Sequence, residues 1–267
     1  MDLGFAGASA AVTGGTKGMG RAIALTMAEE GAKVAVLARG KDEVAETVAA
    51  LRAAGAPDAL GVPTDVTEVE EVNAAFATIG EQWGSLNSLV NTVGPGAGRF
   101  EDLADDDWDA VMNLGFMSMV RCTRAALPLL RAASWARIVN ISAHSIQRQS
   151  PLIVAYTAAK SALASVSKNL AKSLAPEGIL VNTVSPGTFV TASFSEGLRE
   201  IFAAENMDPT DPVDVMKWID QHFHQPADLG RAGLPEEIAA VVTFLASKRN
   251  SYATGVNVNV DGGSDFV

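Results

Sequence analysis

A chain of 267 residues, 48% of them hydrophobic, is long enough to bury a large core as one domain. Its net charge of −11 and the lack of a basic stripe argue against a nucleic-acid partner, and with no basic n-region and no long apolar run neither a signal peptide nor a membrane span is expected. Cys122 is the lone cysteine, which excludes a disulfide framework and a thiolate metal cluster and suits a reducing, cytoplasmic setting.

Short β-rich apolar runs alternate with helical patterns along the whole chain. The runs lie at 9–13 (SAAVT), 33–38 (KVAVLA), 59–64 (ALGVPT), 88–91 (SLVN), 136–142 (ARIVNIS), 180–185 (LVNTVS) and 256–260 (VNVNV). Helices are predicted at about 19–30, 42–54, 69–83, 106–131, 155–175 and 235–246. This alternation predicts an α/β fold: a doubly wound parallel sheet with helices on both faces and right-handed crossovers. The strands are apolar almost throughout, as in a sheet buried on both sides. No linker or repeat divides the chain, so a single domain spans 1–267.

Between the first strand and the first helix stands TGGTKGMG, residues 13–20. Gly14, Gly18 and Gly20 allow a sharp turn and a close approach to a pyrophosphate, whose charge the helix N-terminus stabilises. The second strand ends Val-Leu-Ala-Arg39, where an NAD-selective site places an acid against the ribose 2′-hydroxyl. Arg39 instead offers two hydrogen bonds to a 2′-phosphate, and Lys17 in the glycine turn adds a second cation, so NADP is expected over NAD.

Farther on, AYTAAK sets Tyr156 four residues before Lys160. On a helix that spacing brings their Cβ atoms within about 5–6 Å. A fixed ammonium lowers the pKa of a neighbouring phenol, which would let Tyr156 exchange a proton near neutral pH. From Thr188 to Gly230 the alternation stops, and aromatic and Met residues such as Phe194, Phe202, Trp218 and Phe223 gather there. They suit an apolar or ring-bearing ligand, although helices packed on the core would use the same residues. His222 and His224 lack a carboxylate or Cys at ligand spacing, so no metal is expected.

TGGTKGMG, YTAAK, the Asn113 of the long middle helix and SPG at 185–187 together resemble the short-chain dehydrogenase/reductase family, and within it the 3-oxoacyl-ACP reductases. The likeness runs from about Ala8 to Gly263. It implies a Rossmann fold with a seven-stranded parallel sheet, NAD or NADP as cofactor, interconversion of a secondary alcohol and a ketone, and commonly a homotetramer. The cofactor set it implies is Gly14, Thr16, Lys17, Gly18, Met19, Gly20, Asp65 and Val66 at the adenine, Asn91 and Gly94, and Pro186, Gly187, Val190 and Thr191 at the nicotinamide, with Tyr156 and Lys160 also touching it. The family's NNAG reads NTVG here, which leaves Thr92 in place of the second Asn.

The catalytic residues the resemblance implies are Asn113, Tyr156, Lys160 and a serine. Thirteen residues before the tyrosine, where that serine is usual, stands Ala143, within Asn-Ile-Ser142-Ala-His-Ser145. Ser142 is the preferred candidate, re-aimed at the strand's end; Ser145 is next; His144 or water would serve if neither does. A segment at about 188–230 would cover a small, apolar alcohol or ketone. Small and apolar residues on two helices (Ala125, Ala126, Leu129, Ala162, Ala164, Val166) mark the expected tetramer contacts. A catalytically idle NADP-binding sensor, or a lyase or epimerase on the same fold, are the alternative readings.

Overall fold

The computed structural model describes residues 2–96 and 98–264. All seven predicted strands form: β1 (Ser9–Thr13), β2 (Lys33–Ala38), β3 (Ala59–Pro63), β4 (Ser88–Asn91), β5 (Ala136–Ile141), β6 (Ile179–Pro186) and β7 (Asn257–Val260). They make one parallel sheet in the order β3-β2-β1-β4-β5-β6-β7. The chain therefore leaves β1 in one direction and returns on its other side at β4. At such a switch point the loops diverge and open a crevice at the C-terminal strand ends. Thr13 and Asn91 are paired at that edge.

The helices cover both faces. On one side α1 (Gly18–Glu29) packs with α9 (Pro235–Leu245) and shares a core with Val12, Val34, Val36 and Val90. α2 (Lys41–Ala53) flanks α1 and sends Leu51 into that core. On the other side α3 (Val69–Trp83) buries Phe76 and Ile79 against Leu37, Leu89 and Ile138. The predicted helix 106–131 is broken into α4 (Asp105–Met112), a π turn (Asn113–Met117) and α5 (Ser118–Ala132). Within the turn the Ser118 amide donates to the Asn113 carbonyl, one residue farther back than in an α-helix. α6 (Val154–Leu174) carries YTAAK.

The 188–230 stretch holds two helices, α7 (Ala192–Ala204) and α8 (Pro212–Phe223). Each begins with a side-chain cap: Thr191 Oγ1 accepts from the Phe194 amide, and Asp211 from the Val213 and Asp214 amides. They enclose a third core of their own, built on Phe202, Val215, Trp218 and Ile219. Among the described residues no helix is long and apolar enough to cross a membrane.

Candidate active site

The crevice beside β1 and β4 is a cleft of about 510 Å³. Its floor is the glycine turn. Gly14 and Gly18 have φ of +66° and +49°, which side chains rarely tolerate. A Cβ on Gly20 would overlap the Gly14 carbonyl oxygen and lie 2.8 Å from Thr92 Oγ1. Backbone alone can occupy this turn, which opens directly into α1 and so leaves the helix's free N–H groups facing the cleft. Thr92 is tied to β1, its hydroxyl donating to the Thr13 carbonyl at 2.5 Å and its amide to Thr13 Oγ1 at 3.2 Å. Threonine thus holds the strand ends together in the place of the second Asn.

Of the predicted cofactor residues, Gly14, Thr16, Lys17, Gly18, Met19, Gly20, Arg39, Asp65, Val66, Gly94 and Thr191 all line this cleft. Asp65 Oδ1 accepts from the Thr67 hydroxyl and amide, and these bonds keep its carboxyl below the usual range. The sequence did not mark Leu37, Glu43, Thr64, Leu114 and Ser193, which also line the walls.

Asn91 and Val190, two of the predicted cofactor residues, lie outside the lining of this cleft. Asn91 does not reach the cleft: side chains alternate along β4, so it points beneath the sheet, where Nδ2 donates to Asn140 Oδ1 at 2.8 Å. Val190 lines a neighbouring depression with Arg21 and Leu25.

A second, largely apolar cavity of about 330 Å³ adjoins the first, with Met19 in the wall of both. Tyr156, Pro186, Gly187 and Thr188 face it from the sheet side, and Phe194, Ile219 and Phe223 from α7 and α8. Pro186 and Gly187, predicted at the nicotinamide, are therefore placed in this cavity rather than in the glycine-floored cleft.

Lys160 lies next to Tyr156 as the helical spacing predicts, its Nζ 5.9 Å from the ring centroid. The ammonium is 1% exposed and donates to the carbonyls of Ile141 (2.8 Å) and Val93 (3.1 Å). Burial pushes the lysine down to about 8 and the tyrosine up to about 12. In the chain by itself, loss of water around the ring thus raises the phenol, opposite to the lowering expected from the lysine. Asn113 opens the π turn that packs on α6, where a Cβ on Gly115 would come 2.9 Å from Ala159 Cβ. The Asn113 carbonyl is engaged by Ser118 and, at 3.4 Å, by Arg121 Nη1.

The two candidate serines face different ways. Ser142 is buried and its hydroxyl donates to the Lys160 carbonyl at 3.0 Å, away from the cavity. β5 ends at Ile141, and the alternation that turns Ser142 toward α6 turns Ala143 to the cavity. A 3-10 turn at His144–Ile146 then brings His144 and Ser145 into the cavity wall. Ser145 Oγ accepts from the Thr157 hydroxyl at 3.1 Å. His144 Nδ1 lies 3.2 Å from the Pro186 carbonyl. A carbonyl can only accept, so Nδ1 carries the proton and neutral His144 has only an acceptor left at Nε2.

The family model described as enoyl-(acyl carrier protein) reductase matches residues 14–265. The chain belongs to the short-chain dehydrogenase/reductase family. It is accordingly an oxidoreductase of the reductase and dehydrogenase kind. The short-chain reductase protein NovJ of Streptomyces niveus is 35% identical over 255 residues, covering 95% of this chain and 92% of that one. The 3-oxoacyl-[acyl-carrier-protein] reductase FabG of Staphylococcus aureus is 34% identical over 257 residues, 96% of this chain and 97% of its own. In structure, the L-sorbose reductase of Gluconobacter frateurii, solved with NADPH and L-sorbose, superposes with a TM-score of 0.93 at 29% identity and complete coverage of both chains. The short-chain dehydrogenase/reductase pattern of glycine turn, tyrosine and lysine is intact here; its usual serine position is an alanine.

Proposed function

We propose that this protein is an NADP(H)-dependent oxidoreductase that interconverts a secondary alcohol and a ketone of apolar character. The observation that carries the reading is the junction at Met19: a cleft floored by bare backbone opens onto an apolar cavity lined by Tyr156 and Ser145. Gly14, Gly18 and Gly20 would hold the pyrophosphate, Lys17 and Arg39 the 2′-phosphate, and Asp65 and Val66 the adenine. NADP(H), when bound, supplies or takes up the hydride.

The chain's own groups handle the proton and the oxygen. With its phenol pushed up to about 12, Tyr156 is protonated at neutral pH and suits the role of proton donor to a ketone oxygen. Lys160, positive below about 8, is anchored by two carbonyls and directs its charge toward the ring. Ser145 Oγ accepts a hydrogen bond from the Thr157 hydroxyl and so keeps its own hydrogen free for the substrate oxygen. Phe194, Ile219 and Phe223, from the covering segment, exclude water and favour an aliphatic or ring ketone over a polyol. The proposal includes a homotetramer, with half-buried Ala162, Ala164 and Val166 of α6 in the contact. Ala126 and Leu129 are already used inside the chain.

Turnover measured at 340 nm over a panel of ketones and alcohols tests the reading. Ser145→Ala should lose on the order of 10²–10³ in kcat, Ser142→Ala should stay within a few-fold, and Tyr156→Phe should be inactive. Full turnover by Ser145→Ala refutes the serine role, and cofactor binding without turnover on any substrate refutes the activity.

A further inference from the structure

The far wall of the cleft holds a carboxylate for which dinucleotide binding has no evident use. Glu43 stands in the first turn of α2, just after the N-cap Gly40. Its carboxylate folds back over Gly40, where any Cβ would collide with it. Oε1 lies 3.2 Å from Lys17 Nζ, with the two side chains 44% and 60% exposed. Hydrogen bonding to its own backbone amide, then Lys17, keeps the Glu43 carboxyl below the usual range, so it is an anion at neutral pH. Arg39, the other cation here, lies in the field of Asp65. Lys17 is therefore already paired with an acid of the chain, and Arg39 has an acid nearby.

Resting on the NADP(H) reading, we propose that Glu43 limits cofactor selectivity by holding Lys17 in the free protein, so that a 2′-phosphate must displace it. An exposed ion pair is weak and salt-sensitive, which makes the exchange possible. A 2′-phosphate carries more charge than the carboxylate and takes the lysine, yet it then lies beside a displaced anion that repels it. A 2′-hydroxyl meets no such repulsion and can donate to the carboxylate. Glu43 thus acts in opposite senses on the two cofactors, and its charge narrows the margin that Lys17 and Arg39 create.

The test is equilibrium binding of NADPH and NADH, followed by reduced-nicotinamide fluorescence, to the unaltered protein and to Glu43→Gln, at low and high salt. The variant should bind NADPH about five- to tenfold more tightly and NADH no better, with the gain shrinking at high salt. Glu43→Ala, which removes the same charge without adding an amide, should shift the ratio in the same direction. An unchanged ratio, or weaker NADPH binding in both variants, overturns the inference and leaves Glu43 as a helix-end residue. Failure of the unaltered protein to bind NADPH overturns the cofactor reading itself.

Discussion

Replacing Lys160 by Met separates the function of that ammonium from its cost to the fold. Burial lowers the lysine from 10.5 to about 8, which corresponds to about 3 kcal/mol acting against the charged form in the native state. The folded pKa lies below the unfolded one, so between about pH 8 and 10.5 the unfolded chain binds more protons. Stability from this group must therefore rise with pH across that window. Lys160→Met also leaves the Ile141 and Val93 carbonyls unpaired, a loss of about 1–3 kcal/mol each that does not vary with pH.

The measurement is denaturant unfolding of both proteins from pH 7 to 9.5. The stability of the unaltered protein relative to Lys160→Met should climb by about 2 kcal/mol over that range. Over the same range kcat/KM for ketone reduction should fall, as the ammonium is lost above about 8. Opposite slopes in the two curves are the signature. A stability difference that stays flat with pH would show that the two carbonyls hold the lysine at an ordinary pKa and would refute the reasoning.

Two further outcomes follow from the geometry. Gly20→Ala places a Cβ into the Gly14 carbonyl and 2.8 Å from Thr92 Oγ1, so NADPH binding should fall at least about a hundredfold and stability by about 1–3 kcal/mol; near-normal binding by fluorescence titration would contradict it. Arg148 donates to the His224 carbonyl at the end of α8 (3.0 Å) and to the Ser264 carbonyl (2.6 Å), bracing the turn that carries Ser145. Arg148→Ala should raise KM for the ketone several-fold more than it lowers kcat, with partial recovery in Arg148→Lys; an unaltered KM in steady-state kinetics would show that the brace is dispensable.

The strands, the glycine turn and the Tyr156–Lys160 pair were legible because each is local, set by a period of alternation, by a backbone that admits no side chain, or by helical spacing. The π turn was not, since the Ser118-to-Asn113 bond replaces an ordinary helical one without any residue type that demands it. Ser142 and Asn91 turn away from the crevice for one shared reason: both stand where a strand ends, and their sense depends on which neighbour the sheet face meets, Lys160 in one case and Asn140 in the other. The alternation rule, carried one residue past Ile141, does point Ser142 away from Ala143. Glu43 left a fainter mark, an acid one helical turn beyond Arg39 and far in sequence from Lys17, the cation it affects. Only the fold-back over Gly40 brings it to Lys17.

The third core gives the substrate side a separate mechanical foundation. Phe202, Val215, Trp218 and Ile219 pack among themselves, with Ala227 of their own stretch and with Ala232 just beyond it, while the sheet is secured by two other cores. Swapping cavity-facing Phe194 or Phe223 for smaller or polar residues therefore disturbs a satellite cluster and leaves the valine-rich layers around β1 intact. Substrate preference in such a scaffold is replaceable as a cassette. A library confined to 190–230 should yield folded proteins with altered ketone ranges far more often than an equal number of changes spread over the strands.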